Sequence, residues 1–418
     1  MSNRFFALLL VSVLTLSVKA QQDDDILGRS NENDLRTITT AVPFLLITPD
    51  TRAGGMGDVG VSTSADANSI HWNIAKLAFA EKDSEISFSY SPWLKKIVSD
   101  MNLAYLSGYK KIGKNQAISG SLRYFTLGDI KFTNENAQVI LDFEPKEFAV
   151  DAGYALQLSD KISGGLAARY IFSNLTGGIS ANSSVEAKAG NSFAVDVAAY
   201  YENDDVRLGD YKSTLAFGLN ISNIGAKMAY TTSGQRDFIP TNLRFGPSLT
   251  MNLDEYNKLT FAFEGNKLLV PSTPIYDSTG TGILAGRDPN VGVASGIFGS
   301  FGDAPGVVTL FENGDVEVES GSVLREELRE INLATGLEYW YQDQFALRAG
   351  YFFEHSTKGG RKYATLGAGV KYNVFSFDFS YLIPTQQNNP LANTLRFTLR
   401  MNFDAVKSSG GDGEQKGI

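Results

Sequence analysis

The chain has 418 residues, a net charge of -9, 41 glycines and no cysteine. The missing thiol excludes a disulfide framework, thiolate metal sites, a cysteine nucleophile and a lipidated N-terminal cysteine. With no long Lys/Arg cluster, nucleic acid is not an expected partner, and with no later run of ~18 apolar residues, a membrane location requires a β-barrel.

Residues 1–20 carry the pattern of a secretory signal: Arg4, then the apolar run Phe5 to Leu16, then the small-x-small site Val18-Lys19-Ala20. Residues 21–43 read as a polar periplasmic leader, whose Asp23-Asp24-Asp25 lacks the ligand-and-Gly spacing of a calcium loop. Residues 44–83 differ again. They are rich in Gly and small residues, yet hold Arg52, Asp58, Asp66, Trp72 and Asn73. Such a segment buries too little apolar surface to offset its own ordering entropy, so it is expected as a hatch inside a folded host. Gly55-Met56-Gly57-Asp58-Val59-Gly60 matches GxGxxG. A dinucleotide site needs a strand running directly into that turn and a helix running out, but Pro49 to Gly54 intervene and no βαβ pattern follows. These glycines read instead as sites of close backbone approach in a crowded lumen.

From Ser84 the period changes to two. In Phe375-Ser-Phe377-Asp-Phe379-Ser-Tyr381 and Leu395-Arg-Phe397-Thr-Leu399-Arg-Met401 every second residue is large and apolar. Alternate side chains of a strand face opposite ways, so one face is greasy and the other carries Asp378, Arg396 and Arg400. Residues 84–403 are therefore expected to form an all-β, antiparallel outer-membrane barrel. Its strands lie near 84–91, 100–110, 116–126, 147–157, 161–173, 191–202, 213–223, 241–252, 257–266, 331–341, 344–353, 363–372, 374–382 and 394–403. These are about fourteen strands of spanning length, with aromatics such as Tyr105, Tyr109 and Tyr200 at strand ends as a girdle. Short even-numbered and long odd-numbered connections fit periplasmic turns and extracellular loops. The sixth, Asn203 to Lys212, is longer but polar.

The largest loop, residues 267–330, holds Ile297, Phe298, Phe301, Leu310 and Phe311. Long loops are functional or disordered, and exposed apolar groups outside a cell need a partner. Two readings stand side by side: a partner-binding loop, or a loop folded over its own barrel mouth. It ends in a helix-like Leu324 to Ile331. Residues 404–418 read as a disordered periplasmic tail.

Catalytic signatures are missing. His71 and His355 are expected in the hatch and in an extracellular loop, too far apart to share a metal or a triad. No GxSxG, HExxH or P-loop occurs, and no cofactor is implied. Glu326-Glu327 and Asp204-Asp205 read as solvated surface charge. Asp151, Asp196, Asp378, Arg169, Arg348, Arg396 and Arg400 are expected to form a polar network in the lumen.

Arg52-Ala53-Gly54-Gly55-Met56-Gly57-Asp58-Val59-Gly60-Val61-Ser62, followed by Asp66-Ala67-Asn68-Ser69 and Asn73-Ile74-Ala75, resembles the hatch of the long-chain fatty acid transporter (FadL) superfamily. The family's Asn-Pro-Ala triplet has Ile74 in place of Pro. The stretch Phe44 to Val61, with its ITPDTRAGGMGD core, is similar to the PorV (LptO) branch in Bacteroidetes, in which leader, hatch and fourteen strands cover the mature chain. That resemblance implies a non-enzymatic type IX secretion component in the outer membrane, among lipid and lipopolysaccharide. It would bind the C-terminal signal domain of cargo leaving the SprA translocon and carry it to the attachment complex with its sortase-like PorU. Two alternatives are a channel for hydrophobic small molecules and a lipopolysaccharide deacylase, the latter without a visible nucleophile–base pair.

Overall fold

The structure is a computed structural model. The described residues are 34–403, except 96–97, 99, 134–135, 137, 178–185, 233, 235, 278–279, 311–315, 386–390 and 392–393. The signal, residues 21–33 of the leader, Phe311 and the tail thus lie outside the described residues.

Fourteen antiparallel strands close into one barrel. They are β1 (Ser84–Pro92), β2 (Asn102–Lys111), β3 (Gln116–Thr126), β4 (Lys146–Gln157), β5 (Ile162–Asn174), β6 (Gly190–Leu208) and β7 (Tyr211–Gly225). Then follow β8 (Asn242–Asn252), β9 (Asn257–Leu268), β10 (Asn332–Tyr341), β11 (Phe345–Phe353), β12 (Lys362–Tyr372), β13 (Phe375–Pro384) and β14 (Leu395–Asn402). Each strand pairs with the next, and β1 meets β14 in the register Glu85↔Asn402 to Tyr90↔Phe397. The reason is visible in β1: Ser87, Ser89 and Ser91 are buried inward while Ile86, Phe88 and Tyr90 are exposed outward. In β14 Arg396, Thr398 and Arg400 turn inward and Leu399 outward. The sheet's greasy face is its outer face, as a lipid-facing wall requires.

Two expectations need correction. Asn203 to Lys212 is not a loop: β6 runs to Leu208 and turns at Gly209-Asp210, with Gly209 at φ 61°. Its polar composition hides a hairpin whose main chain stays paired past a bulge between Asn203 and Val206. Tyr105, Tyr109 and Tyr200 are not girdle residues either. They fall on the inward phase of the alternation and are buried in the lumen, whereas Tyr90, Tyr341 and Tyr351 do face outward.

Connection lengths sort by parity. One end of the barrel, the turn end, has links as short as Gly209-Asp210 and Asn373-Val374. The other, the loop end, has all the long links, with hairpins at 130–133/139–143, 275–276/283–285 and 308–310/316–318.

Residues 41–80 are almost wholly buried and fill the barrel interior. They contain helix α1 (Thr51–Gly55), helix α2 (Ser69–Trp72) and a 3-10 stretch at Ile74–Phe79. The placement of residues 34–43 differs from a periplasmic leader. Arg36 Nη1 donates to the Gly306 carbonyl (2.7 Å) in the long loop, and Arg36 N–H donates to Thr357 (2.7 Å) in the β11–β12 link. Ala41 N–H donates to Phe238 (2.8 Å) before β8. All three partners are at the loop end. The cause is Arg36, which finds its carboxylate in Glu326 there (3.1 Å). The segment enters the lumen at the loop end, passes through it, and leaves at the turn end to begin β1.

Candidate functional site

The first half of the hatch is held by charge. Asp50 caps α1 by accepting from Ala53 N–H (3.0 Å), and its other oxygen accepts from the Trp72 indole (2.6 Å). This orients Arg52 toward the wall. Its guanidinium grips Glu338 of β10 through two bonds (2.9 and 2.7 Å) and reaches Asp66 (3.1 Å). The alternation of charge continues around the wall. Glu338 accepts from Arg348 (2.7 Å), Arg348 donates to Asp378 (2.7 Å), Asp378 accepts from Arg400 (3.0 Å), and Arg400 lies 3.6 Å from Glu85. Glu85 accepts from Ala67 N–H (2.8 Å), which returns the chain of charges to the hatch. Buried ions hold only when each has a partner. The network thus fixes the register of α1 against β10–β14.

Glycine sets the depth of that contact. Gly57 sits at φ 73°, where side chains are disfavoured, and a Cβ there would lie 2.6 Å from Tyr351 N. On the wall, a Cβ at Gly350 would meet the Met56 main chain at 2.1 Å. Asp58, turned by this bend, pairs with Arg396 (3.2 Å) and accepts from the Tyr363 hydroxyl.

The second half is held by small apolar residues. Ile70, Ile74, Ala75, Leu77 and Ala78 pack on Ala117, Ala155, Ala167, Ala198 and Ala216 of β3–β7. Asn73 joins this half to the first. Its amide donates to the Val61 carbonyl (3.1 Å) and to Ala199 of β6 (2.9 Å), and its oxygen accepts from Ala75 N–H (3.0 Å). Near the middle, the neutral His71 ring accepts at Nδ1 from Arg123 (2.7 Å). Burial first, and then the guanidinium groups of Arg123 and Arg244, hold its pKa well below the usual histidine range.

The loop end is capped. Helix α4 (Ser322–Arg329) turns its carboxylates inward and its leucines outward. Helix α3 (Val293–Gly299) precedes it in the same loop. Glu326 pairs with Lys358 (2.7 Å) and Arg36, Glu327 with Lys267 (2.9 Å), and Glu330 with both lysines (2.5 and 3.0 Å). Glu327 also accepts from Asp303 N–H (2.8 Å) and Ala304 N–H (2.9 Å), and Glu326 from Gly306 N–H (2.9 Å). Glu326-Glu327 is therefore not solvated surface charge. Both carboxylates are buried because Arg36, Lys267, Lys358 and main-chain N–H groups surround them. Asp204 and Asp205, on the extended hairpin, do remain outside the barrel core.

A family model described as type IX secretion system protein PorV matches residues 29–275, more than half of the chain. The chain belongs to the PorV family. It is an outer-membrane component of the type IX secretion system. No curated protein sequence matches it. Similar solved structures include the Pseudomonas putida toluene transporter TodX (10% identity, 83% of this chain and 95% of that one, TM-score 0.46). Others are the Ralstonia pickettii toluene transporter TbuX (9%, 84% and 98%, 0.44) and a Pseudomonas aeruginosa FadL homologue (11%, 88% and 99%, 0.42).

In this PorV-family barrel Arg52, Gly55, Met56, Gly57, Asp58 and Asp66 meet the charged wall, with Asp378, Arg396 and Arg400 opposite them. Gly55 faces Gly367, where a Cβ would come within 3.1 Å. Trp72 and Asn73 are buried and bond to Asp50 and to Ala199 of β6. Asp151, Arg169 and Asp196 form a separate buried triplet (2.6 and 3.1 Å). In the long loop, Phe298 and Phe301 are exposed and Ile297 is half-buried on α3. Leu310 belongs to the strand 308–310. Phe311, outside the described residues, is not placed with them. Helix α4 and residues 303–308 cover the mouth, as one of the two readings has it, while Phe298 and Phe301 project from the loop. Sequence reasoning passed over Glu264, Glu338 and Arg244. Their inward phase in β9, β10 and β8 was available as a signal.

Proposed function

We propose that the protein is a non-enzymatic carrier that binds the C-terminal signal domain of cargo leaving the SprA translocon and hands it to the PorU-containing attachment complex, with the loop end facing out of the cell. The observation that carries this reading is the lumen. Cavities of about 400 Å³ at the loop end and about 560 Å³ at the turn end share no lining residue. Between them Met56, Val59 and Val61 of the hatch are fully buried. A channel for small molecules needs a continuous path, so this arrangement favours carriage on the outside over passage through the middle.

Phe298 on α3, at 79% exposure, and Phe301 just after it, at 54%, supply a contact surface, with Leu324 and Leu328 exposed on α4. Large apolar side chains in this setting act as anchors when a partner desolvates them. Deleting the whole stretch 292–311 would be a poor test, because Asp303, Ala304 and Gly306 satisfy Glu326 and Glu327. The double substitution Phe298→Ser/Phe301→Ser leaves those bonds intact. It is expected to cut cargo co-purification at least tenfold while the barrel keeps its heat-modifiable migration in gels. Undiminished cargo recovery would refute the assignment of this surface.

A further inference from the structure

The loop-end cavity has chemistry that the carrier reading does not use. It is lined by six charged residues: Asp58, Arg244, Glu330, Glu354, Lys358 and Arg361. Five are matched. Asp58 pairs with Arg396 (3.2 Å), Glu354 with Arg361 (2.8 Å), and Glu330 with Lys358 (3.0 Å). Arg244 is matched only at one edge, by Glu264. Its Nη1 reaches His71, 3.3 Å from Nε2 and 3.4 Å from the carbonyl. Its Nε is 3.7 Å from Glu264, whose other oxygen is taken by the N–H groups of Gly60 and Val61 (2.8 and 2.9 Å). No hydrogen bond is made by Nη2 to any described residue. The residue is only 6% exposed, and its guanidinium stands 4.6 Å over the Trp72 ring, which holds its plane.

The N-terminal segment also lines this cavity. Thr37, Ile38, Thr39 and Thr40 line the cavity, and none of their N–H groups, carbonyls or hydroxyls bonds to a described residue. Their neighbours Arg36 and Ala41 do, so the segment is pinned at both ends and free between. Free main-chain groups of this kind recognise another main chain. A pre-oriented guanidinium with its Nη2 still free to donate recognises a carboxylate.

We propose that this cavity takes the free C-terminal end of a polypeptide, with the terminal carboxylate on Arg244 and the last residues paired along Thr37–Thr40. The inference rests on the carrier reading and names the part of the cargo that enters the mouth. A fatty acid would satisfy Arg244 but leave the Thr37–Thr40 groups unpaired against an acyl chain, which costs free energy.

The test uses the full chain purified in detergent. The probe is a fluorescein-labelled pentapeptide of alternating threonine and valine ending in a free carboxylate. The same peptide as its C-terminal amide and dodecanoate serve as comparisons. The acid is expected to bind about tenfold more tightly than the amide. Arg244→Gln removes that difference and leaves amide binding unchanged. Arg244→Lys, which keeps the charge, restores part of it. Thr39→Pro, which removes one free N–H and no hydrogen bond to a described residue, weakens both peptides alike. Equal binding of acid and amide by the wild type, no saturable binding of the acid, or displacement by dodecanoate at lower concentration than by unlabelled peptide would each overturn the proposal. If cargo co-purifies with the wild type but acid and amide bind equally, this inference fails and the carrier reading survives. If no cargo co-purifies at all, the carrier reading fails.

Discussion

The two halves of the hatch reach the same end by different physics. Between Asp50 and Asp66 it is fixed to β10–β14 by a circuit of buried ions and by glycines that allow backbone contact. Between Ile70 and Ala80 it is fixed to β3–β7 by alanine and isoleucine packing. The ionic half specifies one geometry, since a displaced ion would be left buried and alone. The apolar half specifies volume and tolerates small shifts provided total volume is kept. The comparison explains why the conspicuous motif of the sequence lies in the first half: geometry needs particular residues, whereas volume needs only a size class.

The largest effect should come from breaking the circuit. Arg52→Met leaves the buried Glu338 and Asp66 short of a partner and is expected to destabilise the hatch by about 3–5 kcal/mol. Limited proteolysis should then cleave within 44–83 while the barrel stays intact. Adding Glu338→Leu should recover part of the loss. An unaltered digestion pattern for Arg52→Met would show that the ions are incidental.

The apolar half should yield to volume alone. Ile74→Ala is expected to cost about 3 kcal/mol through the cavity it leaves. A Cβ at Gly165 would come 2.6 Å from Ile74 Cγ2 and 2.9 Å from Ala75 N, so Gly165→Ala should cost about 1–3 kcal/mol. In the double variant the two losses should partly cancel, because the new methyl occupies space the isoleucine gave up. Strict additivity in urea unfolding would mean that the two sites do not touch.

The smallest effect concerns the junction. The folded His71 titrates well below its unfolded value, near 6.5. Below pH 6.5 the unfolded chain takes up a proton that the folded chain refuses, so stability present above that pH is lost as the pH falls. Stability should therefore fall as the pH drops from 6.5. His71→Gln should flatten this part of the profile. Equal slopes for wild type and variant would remove His71 from the account.

Much of this was legible in the chain. The alternation in Phe375 to Tyr381 and Leu395 to Phe403 located strands to within a residue or two, because lipid outside and polar lumen inside impose opposite demands on successive residues. It failed where those demands stop. Beyond the membrane, Asn203 to Leu208 pairs with no greasy face to mark it. Single aromatics such as Tyr105 and Tyr200 could be placed only by phase, not by composition. The hatch motif showed which residues matter but not what they meet, since Glu338 is 286 positions from Arg52. Residues 34–43 were misplaced for a similar reason: a polar stretch next to a signal gives no sign that one arginine will find its carboxylate 290 positions away.

The course of residues 34–83, in at one mouth and out at the other, bears on the order of biogenesis. A thread that runs the full length of a sealed ring and continues into its first staves is difficult to insert once the ring is complete. The seam between β1 and β14 joins the earliest strand to the last. The wall can therefore be laid around the thread stave by stave and shut only when the final one arrives, with the plug already seated.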